Sequence, residues 1–440
     1  MTEAAEENPA GSQAAAQPAP EQSAAPGTGI SCSPGPAGWL ASPGLSLAFS
    51  SYQSGQLFLA GRRRNGQVSF HQHGFGRAMG RWANAERAYL ATSSQIWRLA
   101  NVLRPDELAN DRFDRLYVPR NAQTVGGVDI HEIGIEPSGR IVFVNTSHSC
   151  LATLSVTHGF RPLWKPPFIS KLAAEDRCHL NGLAMEEGRA RYVTAVCRSD
   201  VIGGWRDRRA EGGLIVDLAN DDRILTDGLS MPHSPRVWRG QLYVLDSGRG
   251  YLCRVDRESG EAERIAFLPG FLRGLTFSGN YAIATLSLPR DRSFAGLELD
   301  DELKRRDGEP WCGVQIVDLT TGDVVQWIRL AGAVRELFDV TVLPGATSPM
   351  SIGSVDGSQA HVSWEAEFGP LFVTPSIGNH TSTRSGRRGK WSIRYLGHRV
   401  SVVADDESFD GTSARKNCTR FNKFCAWPGK SPLVLPPISS

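Results

Sequence analysis

The sequence predicts an all-β fold. It is a β-propeller, read as six-bladed with five or seven blades also compatible, with a disordered N-terminal tail and an irregular C-terminal tail. Three observations predict it. Between residues 44 and 345, short apolar runs alternate with Gly and turn residues, and long helical periodicity is nearly absent. One unit recurs there: a short strand, a turn ending in Gly, then a second strand rich in Tyr, Val, Leu and Ile. The turn glycines of four clear copies, Gly139, Gly188, Gly240 and Gly279, are spaced by 49, 52 and 39 residues, close to the ~40–50 residues of a four-stranded blade.

Residues 1–38 come first, an acidic Ala/Pro-rich tail. Residues 1–61 contain no Lys or Arg and four Glu (Glu3, Glu6, Glu7, Glu21). Residues 2–29 hold too little apolar area to offset the entropy of ordering, which predicts disorder. They also lack the basic start and apolar run of a signal peptide.

The propeller follows over residues 39–345. Leu45–Ala60, turning at Gly55, reads as a weak first unit, and Ala88–Leu99 as the last strands of another. The clear units are Ile133–Val144, Leu183–Val196, Val237–Leu245 and Leu275–Leu286. Two hairpins supply third and fourth strands: Tyr251–Asp256 with Ala262–Phe267, and Val314–Leu319 with Val324–Leu330. Residues 290–312 read as a polar insertion within a blade. Leu337–Leu343 reads as a final inner strand, and its pairing with an N-terminal strand would close the ring.

Residues 346–440 form a basic Ser/Gly/Pro-containing extension, with eleven Lys/Arg against seven Asp/Glu. Residues 391–403 suggest a strand pair. An added tail, a docking segment and an out-of-frame extension all fit this region.

The whole chain has 440 residues, 40% hydrophobic and 21% charged, with a net charge of +2. That excludes a uniformly basic nucleic-acid coat and a uniformly acidic solvating chain. The run Arg62-Arg63-Arg64 has no aromatic platform beside it, so nucleic acid is not an expected partner. No window reaches the ~18 continuous apolar residues of a membrane span, and a soluble cytoplasmic protein without a membrane partner is expected. The eight Cys form no C-x-x-C pair, which argues against a zinc knuckle or a redox pair. There is no G-x-S-x-G elbow, P-loop or H-E-x-x-H motif.

Function in such a ring concentrates where inner strands begin, at one mouth of the central channel. Those starts carry Asp129-Ile-His131-Glu132, His179-Leu-Asn181, Pro232-His233-Ser234, Arg273 and Glu336-Leu-Phe-Asp339. His131, His179 and His233 fall at what read as equivalent positions of three successive blades. Neutral imidazoles there would supply nitrogen ligands to one divalent metal ion of unknown identity. Glu132 and Asp339 are the candidate catalytic carboxylates. Arg273, Asn181 and Asp129 are candidate substrate-binding groups, with Arg273 able to clamp a carboxylate or phosphate in bidentate fashion. The plainer reading has each His and Asp bonding to nearby backbone, and Arg273 in an interblade ion pair. Asp246 and Ser247 read as a turn staple, and Trp164–Phe168 as either a lid or a packing element.

The runs VDIHEIGI, VFVNTSHSCLATL, FRPLWKPPFISKLAAEDRCHLNGLAMEEG, GLSMPHSPR, LDSGRGYL, LPGFLRGL, CGVQIVDL and FDVTVLPG carry a family resemblance. Over most of residues 45–345 the chain resembles a bacterial family of conserved hypothetical proteins, a domain of unknown function. The resemblance implies a β-propeller, sometimes accompanied by tetratricopeptide segments, and no established reaction. HLNGLA (His179–Ala184) is locally similar to the lactonase/strictosidine-synthase propellers, which hold Ca²⁺ in the channel. This chain offers more His than such oxygen-rich sites use.

Two function classes follow. One is a metal-dependent enzyme acting by hydrolysis or oxidation on a small molecule or peptide at the channel mouth. The other is a non-catalytic propeller that binds a protein or ligand partner. A purely structural member is a third reading.

Overall fold

The computed structural model describes residues 27–289 and 296–354 in full. Beyond them it describes the backbone of Val362–Glu365, Gly369–Phe372, Lys390–Leu396 and Arg399–Asp405. Residues 1–26 of the predicted tail lie outside the described residues.

Six sheets form the propeller, each with a strand on the channel and antiparallel apart from one edge strand added to the second. The channel strands are Val340–Pro344, Arg81–Ala83, Ile130–Ile135, Leu180–Glu186, Pro232–Trp238 and Phe271–Ser278, for blades one to six. Each contacts the next, and the sixth contacts the first, so the ring closes. In blades three to five the later strands follow outward in chain order.

Closure uses both chain ends. Val340–Pro344 pairs with Leu45–Phe49, so the last propeller strand becomes the inner strand of the first blade. The expected closing strand is therefore present. It also re-reads the two weak units. Leu45–Ser51 and Gln56–Arg62 are second and third strands of blade one, not first and second. Arg87–Ala91 and Gln95–Asn101 are second and third strands of blade two, because Arg115–Thr124 follows as the fourth. The short Arg81–Ala83 strand carries no apolar run, which is why the pattern hid it.

Ordered structure reaches outside 39–345 at both ends. Thr28–Cys32 pairs with Ile328–Gly332 on the outer edge of blade six, and helix Pro36–Ala41 follows it. Pro349–Ser351 adds in parallel to Arg115–Tyr117 of blade two. Farther on, Lys390–Leu396 and Arg399–Asp405 pair antiparallel, covering the strand pair expected at 391–403.

Six apolar layers fill the spaces between neighbouring blades. Leu47, Phe49 and Phe58 meet Ile283, Val314 and Ile328 where the sixth blade meets the first. Val142, Val144 and Leu151 meet Leu183, Val193 and Val216 between the third and fourth. Burial on both faces explains why the strands read as nearly continuous apolar runs. Each fully buried large side chain stabilises by roughly 1.5–3 kcal/mol. Trp164 packs against the second of these layers, with its Nε1 donating to Asp222 at 2.9 Å, so it is a packing element. Within the expected insertion, Glu298–Arg305 is a helix that buries Leu299 and Leu303 against Phe271.

Inner strands crowd where the ring is narrowest. A Cβ on Gly80 would lie 2.2 Å from the His131 carbonyl oxygen, and one on Gly274 would lie 2.6 Å from the Asp339 Cα. Only glycine permits that approach.

Candidate functional site

Register decides which side chains meet. Ile130, Leu180 and Pro232 open the third, fourth and fifth inner strands and pair with Asn145, Ala195 and Asp246 at the ends of the second strands. The next residue in each is His131, Asn181 and His233. One step before the strand stand Asp129, His179 and Met231, all with left-handed φ (56°, 49° and 46°). His179 therefore shares its phase with Asp129 and Met231, whereas Asn181 is the register partner of His131 and His233.

The ladder then breaks in these three inner strands and in the sixth, between Ile130 and Ile133, Leu180 and Gly182, His233 and Arg236, and Leu272 and Leu275. The residues in the breaks are His131 and Glu132, Asn181, Ser234 and Pro235, and Arg273 and Gly274. Register breaks twist a strand and re-aim its side chains, and here they aim at the channel.

The result is two layers. The upper one walls a cavity of about 460 Å³ at the channel mouth, lined by Asp129, His131, His179, Trp205, Arg273 and Phe338 among others. Directly below, Glu132, Asn181, His233, Ser234 and Asp339 surround a space of only about 10 Å³, with His131, Arg273 and Phe338 reaching both layers.

Each imidazole is held through Nδ1. His131 Nδ1 lies 3.0 Å from the Asp129 carbonyl oxygen and 2.7 Å from Thr146 Oγ1, and Thr146 donates onward to the Leu180 carbonyl. His233 Nδ1 lies 2.8 Å from the Met231 carbonyl. His179 Nδ1 sits 2.9 and 3.1 Å from the two oxygens of Asp176. Carbonyls and carboxylates only accept, so Nδ1 carries a proton in all three rings. Asn181 Nδ2 reaches His233 Nε2 at 3.5 Å, its amide fixed by Thr194 donating to Oδ1 at 2.7 Å. Burial pushes His131 down to about 4 and His233 well below the usual imidazole range, so both are neutral at pH 7.

Ring centroids of His131 and His179 are 5.1 Å apart, and those of His131 and His233 6.3 Å apart. Three imidazoles on one tetrahedral metal at ~2.1 Å bonds put centroids roughly 5 Å apart. The first separation matches and the second is longer by about an ångström. Among the described residues, no three His, Cys, Asp or Glu close into a metal-holding set.

Arg273 is the other conspicuous group. It is 8% exposed, and its Nε has no hydrogen-bond partner among the described residues. Its guanidinium lies against three rings, Tyr52, Phe271 and Phe338, at 5.4, 5.3 and 5.2 Å. Burial lowers its pKa, with Glu336 and Asp129 acting in the other direction. It makes no interblade salt bridge among the described residues.

Glu132 and Asp339 lie in the lower layer and tie blades together. Glu132 accepts from the Leu183 backbone at 3.0 Å and from Arg236 Nη1 at 2.6 Å, with Ser234 at its other oxygen. Asp339 accepts from the backbone of Arg81 at 2.9 Å and of Val340 at 2.8 Å. Burial raises the pKa of both. Asp129, at the rim, pairs with Arg77 at 2.8 Å. Asp246 accepts from the Ser230 backbone at 2.7 Å, the turn staple expected of it.

A family profile described as a domain of unknown function (DUF4915) matches residues 35–352. The chain belongs to this family. No curated protein matches it. Among solved structures, one from a nidogen/laminin complex is similar at 14% identity and TM-score 0.44, covering 69% of this chain and 99% of that one. A virginiamycin B lyase from Staphylococcus aureus is similar at 8% identity and TM-score 0.33, with the same coverages. Neither likeness bears on what this family member does.

Two residues at the mouth were missed in the sequence. Asp176 holds His179, and Trp205 Nε1 donates to Asp176 Oδ2 at 2.8 Å while its ring lies 4.3 Å from that of His179. An Asp three residues before a candidate His, in EDRCH, was a usable signal for the first. Trp205 sits in an irregular connection, and nothing local marked it. No helix of the described residues is long and apolar enough to cross a membrane.

Proposed function

We propose that the channel mouth of this DUF4915 propeller binds a small molecule bearing a carboxylate or phosphate. The carrying observation is Arg273: a guanidinium more than nine-tenths buried, without a hydrogen-bond partner for Nε among the described residues, facing a cavity of about 460 Å³. Burying such a group is expensive unless a partner completes it. An anionic group supplies that partner, in the geometry guanidinium forks recognise. The aromatic walls hold the fork in place, and the neutral imidazoles leave its charge dominant at the floor.

The test is calorimetric titration of the full-length protein with small carboxylates, phosphates and their uncharged amides or esters. An anionic member should bind, and Arg273→Met should weaken it about tenfold to a hundredfold, as expected for hydrogen bonds to a charged group. Equal behaviour of charged and uncharged analogues, or an Arg273→Met protein that binds as well as wild type, overturns the reading. A propeller that only docks a protein partner elsewhere predicts the first outcome, no difference between charged and uncharged analogues.

One observation favours a second reading, a divalent metal held by His131, His179 and His233. All three rings are locked through Nδ1, the arrangement that orients imidazole ligands toward a metal. Metal analysis of protein purified without chelator decides it. Stoichiometric metal lost in a triple His→Ala variant supports this reading, and metal-free active-site histidines remove it.

A further inference from the structure

The geometry points to His179, oriented by Asp176, as a general base that takes a proton from the molecule anchored at Arg273. This rests on the anion-binding reading of the same cavity and adds to it a reaction class, proton abstraction. Asp176 is a positioning residue. Its two oxygens, 2.9 and 3.1 Å from His179 Nδ1, fix the ring's tautomer and direction. It is held in turn by the Trp205 indole at 2.8 Å. A carboxylate in that position stabilises an imidazolium.

The surroundings separate His179 from the other two imidazoles. His131 and His233 are backed by neutral carbonyls, lie deeper and are held neutral by burial. Only His179 has a carboxylate behind it and an indole face beside it, at 4.3 Å. Both favour the cation that forms when Nε2 gains a proton. In the step itself, an O–H or C–H bond of the ligand breaks and its proton moves to Nε2. The bonding electron pair stays on the ligand oxygen or carbon. Positive charge develops on the ring, between Asp176 and Trp205. No co-reactant is needed.

The test uses full-length, chelator-dialysed protein and a probe that reports both parts separately. Bromoacetate alkylates imidazole: Nε2 forms a bond to its methylene carbon and bromide leaves with the electrons of the C–Br bond. Bromoacetamide does the same without the negative charge. Mass spectrometry of digested protein should place bromoacetate on His179, at a rate on the order of tenfold above bromoacetamide. Asp176→Asn should slow that modification about tenfold, the low end for losing a group that orients an imidazole, while keeping the preference for the anionic reagent. Asp176→Glu should recover part of the rate. Nitrogen-15 chemical shifts of wild-type His179 should report the Nδ1–H tautomer, a readout that survives even if a variant fails to fold.

Modification elsewhere, an Asp176→Asn rate equal to wild type, or the opposite tautomer in wild type overturns the base assignment. Loss of the anionic preference alone, with the Asp176 effect intact, overturns the Arg273 reading and leaves the base standing.

Discussion

His131→Asn gives the sharpest test of the channel electrostatics. An Asn amide places an N–H close to where the Nδ1–H stands, so the bond to the Asp129 carbonyl can persist while the titrating ring is removed. In the folded protein burial holds the imidazole at about 4, against an ordinary 6.5. As pH falls through 6.5 the unfolded chain takes up the proton and the folded chain does not. Acid therefore favours unfolding, and the loss grows until the folded ring titrates near 4. For a single site with those two values, linkage gives little loss at pH 7 and about 2 kcal/mol at pH 5. The raised carboxylates Glu132 and Asp339 contribute the opposite trend, but they are present in both proteins and drop out of the difference. Equilibrium urea unfolding at pH 7 and pH 5 should therefore show wild type losing about 2 kcal/mol more than the variant. Equal losses would refute the claim that His131 is buried neutral with its proton on Nδ1.

Two further substitutions probe the ring itself. Arg81 is fully buried, and its Nε, Nη1 and Nη2 have no hydrogen-bond partner among the described residues, which burial answers by lowering its pKa to about 10. Leu57, Leu59, Leu90 and Leu343 wall the adjoining space, so Arg81→Met should raise stability by about 1–3 kcal/mol in a thermal or urea melt. A loss instead would show that the guanidinium is satisfied in solution. Gly80→Ala would set a methyl 2.2 Å from the His131 carbonyl oxygen, and overpacking of that kind costs roughly 1–3 kcal/mol. A melting temperature equal to wild type would mean that the inner strands are looser than this contact implies.

Much of the fold was legible because blades bury both faces. Strands such as Ile141–Asn145 and Cys150–Thr153 then read as short apolar runs between turns, whatever their neighbours. The blades at the closure were harder. Arg81–Ala83 is three residues, too short to show a period, and Val340–Pro344 pairs with a strand almost three hundred residues earlier. At the site, His131, His179, His233 and Arg273 could be picked out as chemically capable groups opening inner strands. Their grouping by phase could not be read correctly. His179 stands one step before its strand and lines the upper layer alone, whereas His131 reaches both layers and His233 the lower, a difference that only the pairing of the strands reveals.

The sequence by itself determined the repeat, the all-β class and the set of polar residues placed at the starts of inner strands. Those are local properties, written in periodicity and turn chemistry. Tertiary structure decided between six blades and five or seven, fixed the closing pair as Val340–Pro344 with Leu45–Phe49, and brought Asp176 and Trp205 to His179 at the mouth. It also decided that Arg273 stands without a partner for its Nε among the described residues, while Glu132 and Asp339 tie blades together. These outcomes depend on which strands come face to face across the channel. That is set by ring closure and by the breaks in register, neither of which any short stretch of the chain contains.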